Sequence, residues 1–262
     1  MRIAAVQLDI AWEDKGESLA RAKRLIEAAR VERGDLVVLP EMFSTGFSME
    51  VERIAEGEAK PAERFLAETA VRYGCFTLGG VVNLSRDGRG RNEAVAFGPD
   101  GCLIARYCKL HPFSFAGETR FYEPGEQVVT FDWGQAKVAP FVCYDLRFPE
   151  AFRRAVRSGA TVFAVIANWP AARAHHWRAL LIARAIENQA YVVGVNRCGR
   201  DPKLDYAGET RIIGPKGETL AEAAGEQAVI ATEIDLADLE HYRRKFPALR
   251  DMREEFFPQQ SR

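Results

Sequence analysis

Residues 137–150 read KVAPFVCYDLRFPE. The first six form a short apolar run with β-branched and aromatic members, which predicts a buried strand over Lys137–Val142. Cys143 stands at its carboxyl end. Pro149 then opens a helical pattern that runs to Ser158, since proline is tolerated in the first turn of a helix. Strand, thiol and helix in that order mark one unit of an α/β fold, and active sites in such folds collect at the carboxyl ends of strands.

The same alternation extends in both directions. Upstream, Ile3–Leu8 reads as a strand and Ser18–Arg33 as an amphipathic helix, with Leu19, Ala22, Leu25, Ile26 and Ala29 on one face. Asp35–Leu39 is a short strand stopped by Pro40, Ala62–Tyr73 a helix, and Phe76–Val82 a strand. Glu93–Phe97 and Cys102–Tyr107 flank Gly98-Pro99-Asp100-Gly101, a hairpin turn. An aromatic loop without periodicity fills Leu110–Gln127, and loops of that length inside compact domains usually serve function. Val128–Phe131 is read as a further strand. Downstream, strands at Thr161–Ala167 and Tyr191–Val195 bracket a helix at His176–Asn188. A second hairpin turns at Gly214-Pro215-Lys216-Gly217, Gln227–Thr232 is the last strand, and Leu236–Lys245 a closing helix. No linker or repeat divides this order. The expectation is one α/β domain of about a dozen strands, with two mixed sheets and helices on the outer faces.

Composition narrows the function. The 262 residues are 47% hydrophobic and 28% charged, as in ordinary globular chains. Lys plus Arg is 36 against 37 for Asp plus Glu, so no global basic field exists to hold nucleic acid. No apolar run reaches the ~18 residues of a membrane span, and Met1–Gln7 turns polar too early for a signal peptide. A cytoplasmic location follows as an expectation. The five cysteines are scattered without a CxxC pair, and the adjacent His175 and His176 point apart on a helix. No metal, disulfide framework or cofactor is expected.

Three strand ends carry polar residues suited to a cleft. Glu41 follows Leu39-Pro40, Lys109 ends the Leu103–Tyr107 strand, and Cys143 ends its own. Singly, these residues are most often a helix cap, a solvated charge and a small buried hydrophobe. Together they suffice for cleaving an amide. A thiol attacks a carbonyl well as thiolate, or while a base takes its proton, and Glu41 can be that base. Lys109 and backbone N–H groups after Cys143 can stabilise the oxyanion.

These motifs resemble the nitrilase, or carbon–nitrogen hydrolase, superfamily. The matches are Leu39-Pro40-Glu41-Met42-Phe43, Tyr107-Cys108-Lys109-Leu110-His111 and the run from Cys143 to Glu150. They continue through Ala167-Asn168-Trp169-Pro170 and Ala183–Gln189, so the resemblance spans essentially the whole chain. It implies a single-domain α-β-β-α sandwich that pairs into a homodimer, and hydrolysis of a small-molecule C–N bond without a cofactor. It also implies a further glutamate in the loop after the lysine. Glu118 is the first choice, with Glu123 and Glu126 competing. Asp145 and Arg147 are read as a local ion pair fixing the turn at the nucleophile. Tyr144, Asn168, Trp169, Arg173 and Phe43 are the expected substrate-binding residues, with Phe43 lining either the pocket or the core.

The run Asn168–Trp177 is most similar to bacterial ω-amidases, which remove the terminal amide of 2-oxoglutaramate-type substrates. Deaminated-glutathione amidases, N-carbamoyl amino acid hydrolases and nitrilases use the same trio. Arg173 is suited to anchor a remote carboxylate through two parallel hydrogen bonds. Outside enzymes, a ligand-binding protein on the same fold has no need of all three residues. A thiol redox protein lacks a resolving cysteine near Cys143 in sequence. Apolar residues of the tail from about residue 246 (Phe246, Phe256, Phe257, Pro258) are expected to meet a partner subunit.

Overall fold

The computed structural model describes residues 1–256. The first half runs β1 (Arg2–Gln7), α1 (Lys15–Ala28), β2 (Leu36–Val38), α2 (Val51–Ile54), α3 (Pro61–Tyr73), β3 (Phe76–Leu84), β4 (Gly90–Phe97) and β5 (Leu103–Cys108). The second half runs β6 (Phe131–Trp133), β7 (Ala136–Val142), α4 (Pro149–Arg157), β8 (Val162–Ala167), α5 (Ala174–Asn188), β9 (Tyr191–Asn196), β10 (Cys198–Arg200), β11 (Asp205–Ala207), β12 (Arg211–Ile213), β13 (Thr219–Glu222), β14 (Ala228–Glu233) and α6 (Leu236–Lys245).

Two six-stranded sheets result. The first has the order β14-β1-β2-β3-β4-β5 and the second β13-β12-β9-β8-β7-β6, with β10-β11 a separate two-stranded ribbon. In each sheet three parallel strands form the middle and antiparallel strands the margins, so both sheets are mixed as expected.

The two-residue period of a strand builds the layers. On β1, Ile3 and Ala5 join the core that includes the second sheet, while Ala4 and Val6 join Ala22 and Ile26 of α1 and Leu66 and Ala70 of α3. On β4, Ala94 and Ala96 face inward, and Val95 and Phe97 face the helices. Phe152 of α4 and Trp177 and Leu181 of α5 cover the second sheet. Each fully buried large apolar side chain contributes about 1.5–3 kcal/mol. The outcome is the α-β-β-α sandwich.

Several boundaries differ from the sequence reading, each for a local reason. Helix α1 begins a turn earlier because Asp14 caps it, accepting from Glu17 N at 2.9 Å. It stops short of Arg30, which takes φ +50°. The strand expected at Val128–Phe131 starts only at Phe131, where Trp133 anchors the edge by donating to Gly34 O at 2.8 Å. The one-turn helix α2 and the ribbon β10-β11 were not anticipated. Past α6, the one helical segment among the described residues is a short 3-10 turn, Glu254–Phe256. Phe246 and Phe256 are exposed, and Phe257 and Pro258 lie outside the described residues. Among the described residues no helix is long and apolar enough to cross a membrane.

Candidate active site

The site straddles the two sheets. Glu41 follows β2, Asn92 sits within β4 and Lys109 follows β5, all from the first sheet. Cys143 follows β7 and Asn168 follows β8, both from the second.

Glu41 hangs on a tight turn. Gly80 of β3 grips that turn from both sides, donating to Pro40 O at 3.0 Å and accepting from Phe43 N at 3.1 Å. Met42 takes φ +43°, so the chain reverses directly after the glutamate. Its Oε1 accepts from Lys109 Nζ at 3.1 Å and from Asn92 Nδ2 at 2.7 Å. Its Oε2 accepts from the backbone N–H of Asn168 at 2.8 Å.

Glu118 stands on a 3-10 turn of the aromatic loop and is fully buried. Its two oxygens accept from Lys109 Nζ at 3.1 and 2.9 Å, and Oε1 also from Asn92 Nδ2 at 3.0 Å. Phe113 N–H donates to Oε2. Of the three glutamates considered, Glu118 is the one on the lysine: Glu123 pairs with Arg91 and Glu126 is exposed. Burial works against the Lys109 ammonium. Glu118 and then Glu41 outweigh it, and the amine is held well above its ordinary value. The ring of Phe47 lies 5.2 Å from Nζ.

Cys143 opens a 3-10 helix with φ +46°, a left-handed conformation that costs a non-glycine residue about 1–2 kcal/mol. Asp145 holds the strain in place. Its Oδ2 accepts from Val142 N at 3.0 Å and Tyr107 OH at 2.7 Å, and its Oδ1 accepts from His111 N at 3.0 Å. One buried carboxylate thus ties the cysteine turn to the segment that carries Lys109. The expected Asp145–Arg147 ion pair is not formed. Arg147 instead lies over the Trp169 ring at 4.8 Å with Nη2 3.1 Å from His176 Nδ1. Asp145 is fully buried beneath the turn, where its acceptors are taken by other donors.

Burial first, and Glu41 second, push the Cys143 thiol well above its ordinary value, against the pull of Lys109. A thiol held this way is a poor nucleophile by itself, and an attack from it would need a base. Asn168 links the two groups: its N–H holds Glu41 while its carbonyl oxygen lies 4.0 Å from Cys143 Sγ. Burial raises Cys75 and Cys108 to about 12 and Cys198 to about 11. None of these three lines the cavity described next.

A cavity of about 490 Å³ opens above Cys143 and Lys109. Tyr144, Asn168, Trp169 and Arg173 line it, together with Phe113 and the β10-β11 ribbon. Phe43 does not. It is fully buried against Phe65 of α3, ring centroids 5.9 Å apart, because the turn after Glu41 directs it into the helix-facing core. The ribbon wall escaped the sequence reading. Asp201 builds it by accepting from Lys203 N, Leu204 N and Tyr206 OH, with Arg197 stacked 4.4 Å from the Tyr206 ring. Asn92 escaped too. The guanidinium of Arg173 lies 5.4 Å from the Phe113 ring and makes no ion pair among the described residues. No cluster of three or more His, Cys, Asp or Glu suited to a metal ion occurs among them.

Residues 2–244 match the carbon-nitrogen hydrolase family. An omega-amidase of Yersinia enterocolitica is 38% identical over 253 residues, covering 96% of each chain. A 2-oxoglutaramate amidase of Bacillus subtilis is 32% identical over 256 residues, covering 97% of this chain and 98% of its own. The crystal structure of a carbon–nitrogen hydrolase superfamily protein of Xanthomonas campestris, with an arsenic adduct in its active site, superposes with a TM-score of 0.90 at 33% identity over 97% of both chains. The chain belongs to the carbon–nitrogen hydrolase family.

Proposed function

We propose that the protein is a cysteine amidase acting on small ω-amides that carry a free carboxylate, 2-oxoglutaramate first and succinamate next. One observation carries the reading: a buried Glu41–Lys109–Glu118 cluster meets a strained Cys143 at the floor of a cavity whose wall holds Arg173, which has no ion pair among the described residues. The names of the relatives above support the substrate class.

In the proposed reaction Glu41 takes the Cys143 proton as sulfur bonds to the amide carbon. The carbonyl electrons move onto oxygen, where Lys109 and the N–H of Tyr144 stabilise them. Glu41 returns the proton to the leaving nitrogen, the C–N bond breaks, and ammonia departs from a thioester. Water then gives a proton to Glu41 and adds to the thioester carbon. Collapse of that adduct releases the carboxylic acid and re-forms the thiol. Glu118 keeps Lys109 charged and oriented throughout.

Arg173 anchors the remote carboxylate, which sets the amide carbon against sulfur, so its removal lowers kcat as well as raising KM. Ammonia release from succinamate and from uncharged butyramide, each with wild type and Arg173→Ala, tests this. Succinamate is expected to lead, with the lead lost in the variant. Equal rates for both amides in wild type rule out carboxylate anchoring.

The proposal includes a single catalytic domain working in the cytoplasm as a homodimer. Five free thiols fit a reducing compartment. Exposed Ile186 on α5 and Phe246 after α6 are apolar surface that a second subunit would cover. Light scattering at micromolar concentration is expected to give twice the monomer mass.

A further inference from the structure

The cluster around Lys109 has an unbalanced charge. Glu41 and Glu118 are each fully buried, and Lys109 is the one cation that bonds to either of them among the described residues. Their Oε1 atoms approach the same ammonium, each at 3.1 Å. Two carboxylates held so close ordinarily share a proton, because the second ionisation is opposed by the first. A general base that has kept a proton cannot take another.

The same two oxygens meet on a second donor. Asn92 Nδ2 lies 2.7 Å from Glu41 Oε1 and 3.0 Å from Glu118 Oε1. Carboxylate oxygens only accept, so it must be the nitrogen of the amide that faces them, with one hydrogen for each. Asn92 is 1% exposed, and its Oδ1 has no partner among the described residues. Both of its amide hydrogens are spent on the two acids. Its own backbone carbonyl accepts from Lys109 N at 2.8 Å, which locks the amide and the ammonium into one frame.

We propose that Asn92 is a positioning residue that lets Glu41 and Glu118 remain ionised together beside a single lysine, so that Glu41 is free to act as base at neutral pH. An uncharged donor suits this task. A second cation would stabilise the carboxylate further and weaken it as a base, whereas no donor would leave the pair holding a proton. The other titratable groups facing the pair are Lys109 from the end of β5, Cys143 from the end of β7, Tyr122 from the aromatic loop and Tyr206 from β11. The two tyrosine hydroxyls are spent elsewhere, on Ser48 O at 2.6 Å and Asp201 Oδ2 at 2.6 Å, and supply no hydrogen to the acids.

This inference rests on Glu41 being the base, and two readouts separate the claims. The first is the pH dependence of kcat/KM for ammonia release. The second is the pH dependence of Cys143 alkylation by iodoacetamide, which needs no substrate. Activity requires the ionised pair and is lost as pH falls through its acid limb. In Asn92→Ala that limb moves upward by about one pH unit, roughly the loss of one charge-assisted hydrogen bond. Most activity returns at higher pH. Asn92→Asp keeps the shape, adds a third carboxyl and moves the limb further. Asn83→Ala serves as control. Asn83 lies on the neighbouring strand and donates to Glu63 and Glu93 instead, so its loss leaves the limb in place.

A fall in activity of equal size at every pH, with the acid limb unmoved, overturns the proposal and leaves Asn92 a structural role. If Asn92→Ala fails to fold, an unmoved limb in Asn92→Asp overturns it equally. Should Glu41→Gln alkylate with the wild-type pH profile, the base assignment fails and the proposal with it. Should Glu41→Gln lose the lower inflection while both Asn92 variants keep it, only the role of Asn92 fails.

Discussion

Replacing Gly80 with alanine tests whether the position of Glu41 is set by the backbone behind it. A Cβ on Gly80 would lie 2.5 Å from both Glu41 Cα and Met42 N. Neither atom belongs to a side chain that can swing aside. Restoring an ordinary contact of about 3.4 Å moves the turn by about 0.9 Å, because strand β3 is held in the middle of a sheet. Overpacking of this kind costs about 1–3 kcal/mol of stability. A misplacement near 1 Å in a catalytic group costs about a hundredfold in rate. Gly79→Ala is the comparison, since its Cβ would meet side-chain atoms of Phe43 and Leu66 at 3.0 and 3.2 Å. Those tips can repack, so this change should lower stability with little loss of turnover. The assay is kcat/KM for ammonia release well below the unfolding midpoint, alongside urea unfolding. A Gly80→Ala enzyme that is stable and within twofold of wild-type kcat/KM would refute the argument.

Cys143→Ala should abolish turnover without changing the urea midpoint downward, since alanine keeps the fold and removes the nucleophile; near wild-type ammonia release would sink the mechanism. Asp145→Ala leaves Tyr107 OH and the N–H groups of Val142 and His111 without their acceptor. A loss of about 2–4 kcal/mol in urea unfolding is expected, and a change below about 0.5 kcal/mol would contradict the role given to it. The amine of Lys109 is held above its ordinary value, so the stability it contributes is complete below about pH 10 and is lost only as pH rises through the folded value. Activity and urea midpoint measured from neutrality upward should therefore show no Lys109-dependent decline before about pH 10; a lysine titration near pH 9 would count against the cluster. Dialysis against a strong chelator should leave ammonia release unchanged, and a stoichiometric metal whose removal stops it would oppose the proposed chemistry.

Glu41, Lys109 and Cys143 were legible because each ends an apolar run, where the sequence pattern itself marks a strand terminus. Asn92 was not. The apolar alternation of β4 begins at Glu93, yet the strand reaches back to Gly90. A polar residue whose partners lie 51 and 26 residues away leaves no local signature. Asp145 was noticed but given to Arg147, its sequence neighbour, whereas its partners are the N–H of Val142 just before the turn and groups from β5 and the loop beyond. Phe43 was open to a place in the pocket or in the core, and it takes the core, past the left-handed turn at Met42. The ribbon β10-β11 has three-residue strands and a polar tip, CGRDPKLDYA, held by Asp201 rather than by a hydrophobic pattern.

The division of the site between two sheets has a consequence for how the protein tolerates change. Glu41 and Lys109 ride on one slab, Cys143 on the other, and Asn168 and Asp145 are the pins between them. The first slab meets the second through a mixed layer, in which Ala5, Ala94, Ala96 and Ala105 alternate with Ile3, Leu36, Val38, Leu78 and Tyr107. The thickness of that packed layer therefore acts as a spacer that sets the gap between Glu41 and sulfur. A methylene added there, far from any ligand, would pry the reacting partners apart while the sandwich stayed folded. Drift in this lineage should for that reason be more permissive in the helix-facing layers than in the buried sheet-to-sheet seam.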